Sequence, residues 1–131
     1  MPLYIDRIDH VVLNCRDVEV TADWYARVLG MRREIFGEGR LALTFGEQKI
    51  NLRPTGAPNW ATAAVDEPGS VDLCFIAEAS AEEIGAQLRA CGVEITAGPV
   101  TKIGALGPMT SHYCRDPDGN LVEVACYADW D

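Results

Sequence analysis

His10, in the apolar run Ile8-Asp9-His10-Val11-Val12-Leu13, and Asp72, in Ser70-Val71-Asp72-Leu73-Cys74-Phe75, stand sixty-two positions apart in segments of the same kind. Asn51 and Glu123, each within a later apolar run, stand seventy-two apart. One imidazole and two carboxylates combine a nitrogen donor with hard anionic oxygens, and an amide can add a neutral oxygen. That mixture suits a divalent ion such as Mn²⁺, Fe²⁺, Ni²⁺, Zn²⁺ or Mg²⁺. With coordination positions left open, such an ion would hold a small molecule by two neighbouring oxygens and polarise a carbonyl, stabilise an enolate or acidify water. Each residue also has a plainer role. His10 would be a core histidine satisfied by a backbone carbonyl, and Asp72 a solvent-facing strand residue.

These residues need elements to position them, and the chain supplies the same set twice. A strand at about 6–15 precedes a helix at about 18–29, argued by Thr21, Trp24, Tyr25 and Val28 on one face, with Asp17 as cap and Gly30 as exit. Strands near 32–37, 40–45 and 48–53 follow. After a linker at about 55–68, a strand near 70–77 leads into a helix at about 81–91. That helix shows a capping box, Ser80 with Glu83, and an inward stripe of Ala81, Ile84, Leu88 and Cys91. Strands near 93–97, 109–115 and 119–126 complete the second half, the last two joined by the turn Arg115-Asp116-Pro117-Asp118-Gly119-Asn120. The extra length of the second half falls on Thr101–Pro108, whose glycines suggest a flexible cover. Its Ile103–Pro108 stretch lacks the lysine and hydroxyl of a phosphate-binding loop. The expected fold is α+β: two βαβββ modules at about 6–54 and 69–126 in one domain, with curved sheets enclosing a cavity and helices outside. A pseudo-twofold axis would bring His10, Asp72, Asn51 and Glu123 together.

Composition narrows the partners. A net charge of −9 over 131 residues argues against nucleic acid or an anionic membrane surface. No apolar run reaches the roughly 18 residues of a membrane span, and the amino terminus lacks a signal-peptide pattern, so a soluble, cytoplasmic protein is expected. Five cysteines without CxxC spacing read as reduced, small apolar side chains.

Three segments carry a family likeness: Ile8-Asp9-His10-Val11, Trp24-Tyr25-Ala26-Arg27-Val28-Leu29-Gly30-Met31, and Tyr113-Cys114-Arg115-Asp116-Pro117-Asp118-Gly119-Asn120-Leu121-Val122-Glu123. In this order they resemble the vicinal oxygen chelate superfamily, which includes glyoxalase I, extradiol dioxygenases, fosfomycin-resistance transferases and bleomycin-binding proteins. Leu43–Leu52 and Pro68–Cys74 are similar to the group called glyoxalase domain-containing protein 5. The resemblance implies metal ligands at His10, Asn51, Asp72 and Glu123. His10 and Glu123 match the pattern; Asn51 stands where glyoxalase I has a glutamate, and Asp72 where most enzyme members have a histidine. Glu123 and Tyr113 are the catalytic candidates, Tyr113 aligning with a family tyrosine that touches substrate. Arg53 shares parity with Asn51 and would meet a carboxylate or phosphate on the substrate, or else stand solvated at the strand end. His112, one residue from Tyr113, alternates to the opposite face.

The resemblance therefore implies a divalent-metal enzyme acting on a small molecule with vicinal oxygens. Lyase or isomerase chemistry through an enolate ranks ahead of dioxygenase ring cleavage. The alternative is a metal-free protein that sequesters a small molecule, and a homodimer is expected in either case.

Overall fold

The computed structural model describes residues 2–127. The chain divides between Glu67 and Pro68 into two compact units, each a βαβββ module of α+β type. Among the described residues no helix is long and apolar enough to cross a membrane.

In the first unit β1 (His10–Cys15) leads into α1 (Val18–Leu29), followed by β2 (Arg32–Phe36), β3 (Arg40–Phe45) and β4 (Gln48–Pro54). The helix begins where Asp17 Oδ1 accepts from the amides of Glu19 and Val20, at 3.0 and 3.3 Å. It ends at Gly30, whose φ of +69° closes the last turn in the left-handed region open to glycine. The sheet has the order β1-β4-β3-β2, with β1 parallel to β4 and the other pairs antiparallel. A parallel first and last strand follows from the intervening crossover, since a tight hairpin can join only antiparallel neighbours. Tyr25, Ala22 and Val28 of α1 and Leu13, Leu43, Ile50 and Leu52 of the sheet are fully buried. Truncating any of these leucines to alanine is expected to cost about 2–5 kcal/mol.

The second unit repeats the plan with β5 (Asp72–Ile76), α2 (Ala81–Ala90), β6 (Ala97–Gly104), β7 (Gly107–Arg115) and β8 (Leu121–Tyr127), in the order β5-β8-β7-β6. The capping box of α2 is formed on both sides: Ser80 Oγ accepts from the Glu83 amide and Glu83 Oε1 from the Ser80 amide, each at 3.1 Å. In the turn before β8, Asp116 Oδ1 accepts from the amides of Asp118 and Asn120, and Asn120 Oδ1 accepts from the Val71 amide. That last bond ties the β7–β8 turn to the entrance of β5.

Three expectations are corrected. The first strand starts at His10 rather than near 6, and residues 6–9 are exposed. The sixth strand occupies 97–104, not 93–97. Residues 101–108 are not an irregular insertion, because they close a β6–β7 hairpin in which Gly104 pairs with Gly107 around Ala105 and Leu106. The two glycines serve that hairpin differently. Gly107 has a φ of +124°, and a Cβ on Gly104 would come within 2.6 Å of the Tyr127 hydroxyl and 2.8 Å of Met109 Sδ.

Candidate functional site

On the first sheet, strand register decides which side chains share a face. His10 pairs with Lys49, Val12 with Asn51 and Asn14 with Arg53, so His10, Asn14, Asn51 and Arg53 project from the same side. Ala42 pairs with Asn51 from the other neighbour. His10 is exposed rather than a core histidine. Its Nδ1 lies 2.9 Å from Asp9 Oδ1. A carboxylate only accepts, so the proton sits on Nδ1 and leaves Nε2 with an open lone pair, the arrangement that orients ligating histidines. The same bond holds the Asp9 carboxyl below its usual range. Asn51 is 7% exposed, and its Oδ1 is buried with no hydrogen-bond partner among the described residues.

Arg53 is buried, not solvated. It donates through Nη1 to Asn14 Oδ1 at 2.7 Å and to Asp66 Oδ2 at 3.3 Å, through Nε to Trp60 O at 3.1 Å, and through Nη2 to Ala57 O at 3.0 Å. All three of its nitrogens are engaged by the strand beside it and the linker after it. Arg40 stacks 4.0 Å over the Trp60 ring and helps hold that linker.

The second sheet presents a different chemistry. Cys74 and Tyr113 both pair with Glu123, and Asp72 precedes Cys74 by two, so all four project from one side. Ser111 joins them two residues before Tyr113. Ser111 Oγ donates to Glu123 Oε2 at 2.6 Å, a charge-assisted bond of about 2 kcal/mol. Partial desolvation, and then the Glu123 carboxylate, raise the Tyr113 hydroxyl above its ordinary pKa and push the thiol of the exposed Cys74 up to about 11. Both groups therefore keep their protons at neutral pH. Ser111 and Asp9 are the contributors that the sequence reading passed over. Parity with Tyr113 marks the first, and adjacency to His10 the second.

Register also makes the internal repeat exact at the residue level. His10 lies two before the residue paired with Asn51, and Asp72 lies two before the residue paired with Glu123. Val12 answers Cys74, Ala42 answers Tyr113, and Leu41 answers His112.

The donor types at these positions suit a hard divalent cation, and the unpartnered Asn51 Oδ1 and the open Nε2 of His10 are the features such an ion would use. Among the described residues, however, no three His, Cys, Asp or Glu side chains gather as a metal-holding group.

Duplicated βαβββ units with ionisable residues on their first and last strands define the structural class. The chain belongs to the Glyoxalase/Bleomycin resistance protein/Dioxygenase superfamily, whose model matches residues 7–124. It is 45% identical over 127 residues to the glyoxalase domain-containing protein RDO1 of Mycosarcoma maydis, covering 97% of this chain and 72% of that one. It is 42% identical over 125 residues to the virulence protein STM3117 of Salmonella typhimurium, covering 95% and 87%. The integron cassette protein VCH_CASS1 from the mobile metagenome of V. cholerae superposes with a TM-score of 0.95 at 44% identity, over 98% of this chain and all of that one. The fold alone is shared with a lactoylglutathione lyase from Agrobacterium tumefaciens (TM-score 0.71, 23% identity) and with TnmS3, an antibiotic-binding protein from Streptomyces (TM-score 0.75, 19% identity).

Proposed function

We propose that the chain is a divalent-metal-dependent enzyme acting on a small molecule with vicinal oxygens, by lyase or isomerase chemistry, with His10, Asn51, Asp72 and Glu123 as the metal donors. The observation that carries this is Asn51 Oδ1, a buried acceptor without a donor at the position that repeats Glu123. Such an oxygen costs about 1–3 kcal/mol unless something meets it. When bound, the cation supplies Lewis-acid polarisation of a substrate carbonyl. Glu123, held by Ser111, takes a proton from the hydroxyl-bearing carbon beside that carbonyl and returns it to the former carbonyl carbon, while the hydroxyl proton passes to the former carbonyl oxygen, so the net change is an isomerisation. Tyr113, kept protonated, donates a hydrogen bond to the oxygen on which charge develops.

A second reading, metal-free sequestration of a small molecule, is supported by Asn51 and Asp72, which stand where enzyme members of the family have a glutamate and a histidine. Metal analysis of protein purified without chelator separates the two. The enzyme reading expects close to one equivalent of divalent ion in the wild type, lost in His10→Ala and Glu123→Ala. A wild type without metal gives the sequestering reading instead. With metal bound, a glutathione hemithioacetal tests the lyase and a catechol tests the ring-cleaving dioxygenase. We further expect a homodimer, to be measured by light scattering.

A further inference from the structure

His112 leaves the face of Glu123 and Tyr113 and turns toward α2. It is 3% exposed, and its Nδ1 has no hydrogen-bond partner among the described residues. Beside it lies a cavity of about 260 Å³ lined by Ala81, Glu82, Gly85, Arg89, Pro99 and His112. Gly85 keeps this space open from within the helix. A Cβ there would stand 3.0 Å from His112 Nε2 and 3.1 Å from Arg89 Nη1, so imidazole and guanidinium reach the same slot. The equivalent of His112 in the first unit is Leu41, a core leucine. A histidine in a leucine's place, under a helix that carries a glycine just above it, is a built recess and not ordinary packing.

The protonation of the ring follows from its surroundings. A buried N–H without an acceptor is costlier than a buried lone pair without a donor, so the proton belongs on Nε2 and Nδ1 stays bare. Burial, and then the positive charge of Arg89, lower the His112 pKa and keep the ring in this neutral form. Nε2–H and the Arg89 guanidinium are then two donors directed at one slot. Arg89 has no ion-pair partner among the described residues, although the chain carries 20 acidic residues against 11 basic ones. The only lining carboxylate is Glu82, one helix turn before Gly85. The remaining walls, Ala81 and Pro99, are apolar. The volume lies below the usual range for drug-sized ligands and fits a molecule of a few heavy atoms.

We infer that the recess between α2 and the outer face of β6 and β7 binds a small aliphatic monocarboxylate, its carboxylate on Arg89 and His112 Nε2–H and its apolar body against Ala81 and Pro99. This site lies on the opposite side of the second sheet from Glu123 and Tyr113, and it stands whether or not those residues act on a metal.

The test is a titration of the full chain with sodium butyrate, followed through the His112 ring signals by heteronuclear NMR. Inorganic phosphate and uncharged butyramide serve as comparison probes. Saturable shifts are expected with a Kd on the order of 1 mM. Butyramide should give none, and phosphate should be weaker because it lacks the apolar body. Arg89→Gln should weaken butyrate at least ~10-fold by removing the charged donor. Gly85→Ala should do the same by filling the slot while leaving the helix intact, since alanine is the better helix former. Unchanged His112 signals at saturating butyrate would overturn the assignment. So would equal binding of butyramide, or butyrate affinity indifferent to both substitutions in folded protein.

Discussion

The two units share one backbone plan and register yet give their equivalent positions opposite work. In the first, the strand face around Asn51 is occupied by internal bonding: Arg53 reaches Asn14, Asp66 and two linker carbonyls, and Ala42 leaves only a methyl beside Asn51. In the second, the same positions hold a carboxylate with a serine, a tyrosine and a thiol around it. The difference teaches that duplication fixed where side chains point, and later substitution divided the labour. One face braces the linker through Arg53, while the other gathers Ser111, Tyr113 and Cys74 around Glu123.

The comparison can be broken most severely at Glu123. Glu123→Gln keeps the shape and the Ser111 contact but removes the base, and turnover of any substrate found should fall about 10²–10⁴-fold in steady-state assays. Asn51→Ala removes a metal donor but no base, so with metal in excess turnover should fall less than in Glu123→Gln, and an equal loss would show that the labour is not divided. Next in size is Arg53→Met. It strands Asn14, Asp66 and the carbonyls of Ala57 and Trp60, and should lower stability by about 3 kcal/mol in urea denaturation without changing the shape of the Glu123 site. The smallest effect sharpens the comparison from the other side. His112→Leu makes the second unit match the first at Leu41 and removes an unpartnered buried nitrogen, so stability should rise by about 1 kcal/mol.

That last variant should also change the pH profile. Because the folded protein lowers the His112 pKa, the unfolded chain binds the extra proton first as pH falls. Native stability from this residue is therefore complete above the ordinary histidine range and is lost as pH drops through about 6.5. The advantage of His112→Leu should be larger at pH 5.5 than at pH 7.5 in paired denaturation curves. An advantage that is constant with pH would place the histidine in an environment no different from water.

Much of this architecture was legible because the local signals were chemical. Asp17, Gly30, Ser80 with Glu83, and the Asp116–Asn120 turn each mark a boundary through a specific backbone hydrogen bond or dihedral, and the structure forms every one. Parity within strands placed His112 away from Tyr113. The glycines of the β6–β7 hairpin misled for a physical reason: Gly104 is required by Met109 across the hairpin and by Tyr127, which is distant in sequence, so a packing requirement imitated a flexible one. Arg53 was readable as to side but not as to partners, since Ala57, Trp60 and Asp66 act through linker geometry that no periodicity encodes. The Ser111 bond to Glu123 depends on antiparallel register and was equally out of reach.

The parallel pairing of β1 with β4 and of β5 with β8 bears on how the protein is made. His10 and Asp72 sit on the outer strand of their units, and Asn51 and Glu123 on the last strand, which docks onto it, so the outer strand leaves the ribosome well before its partner exists. Asn120, at the far end of the second unit, supplies the acceptor that secures the entrance of β5 some fifty residues earlier. Contacts spanning that separation form slowly and last. A nascent or truncated unit thus carries the right amino acids without the sheet face that arranges them, and that face forms only when synthesis of the unit is complete.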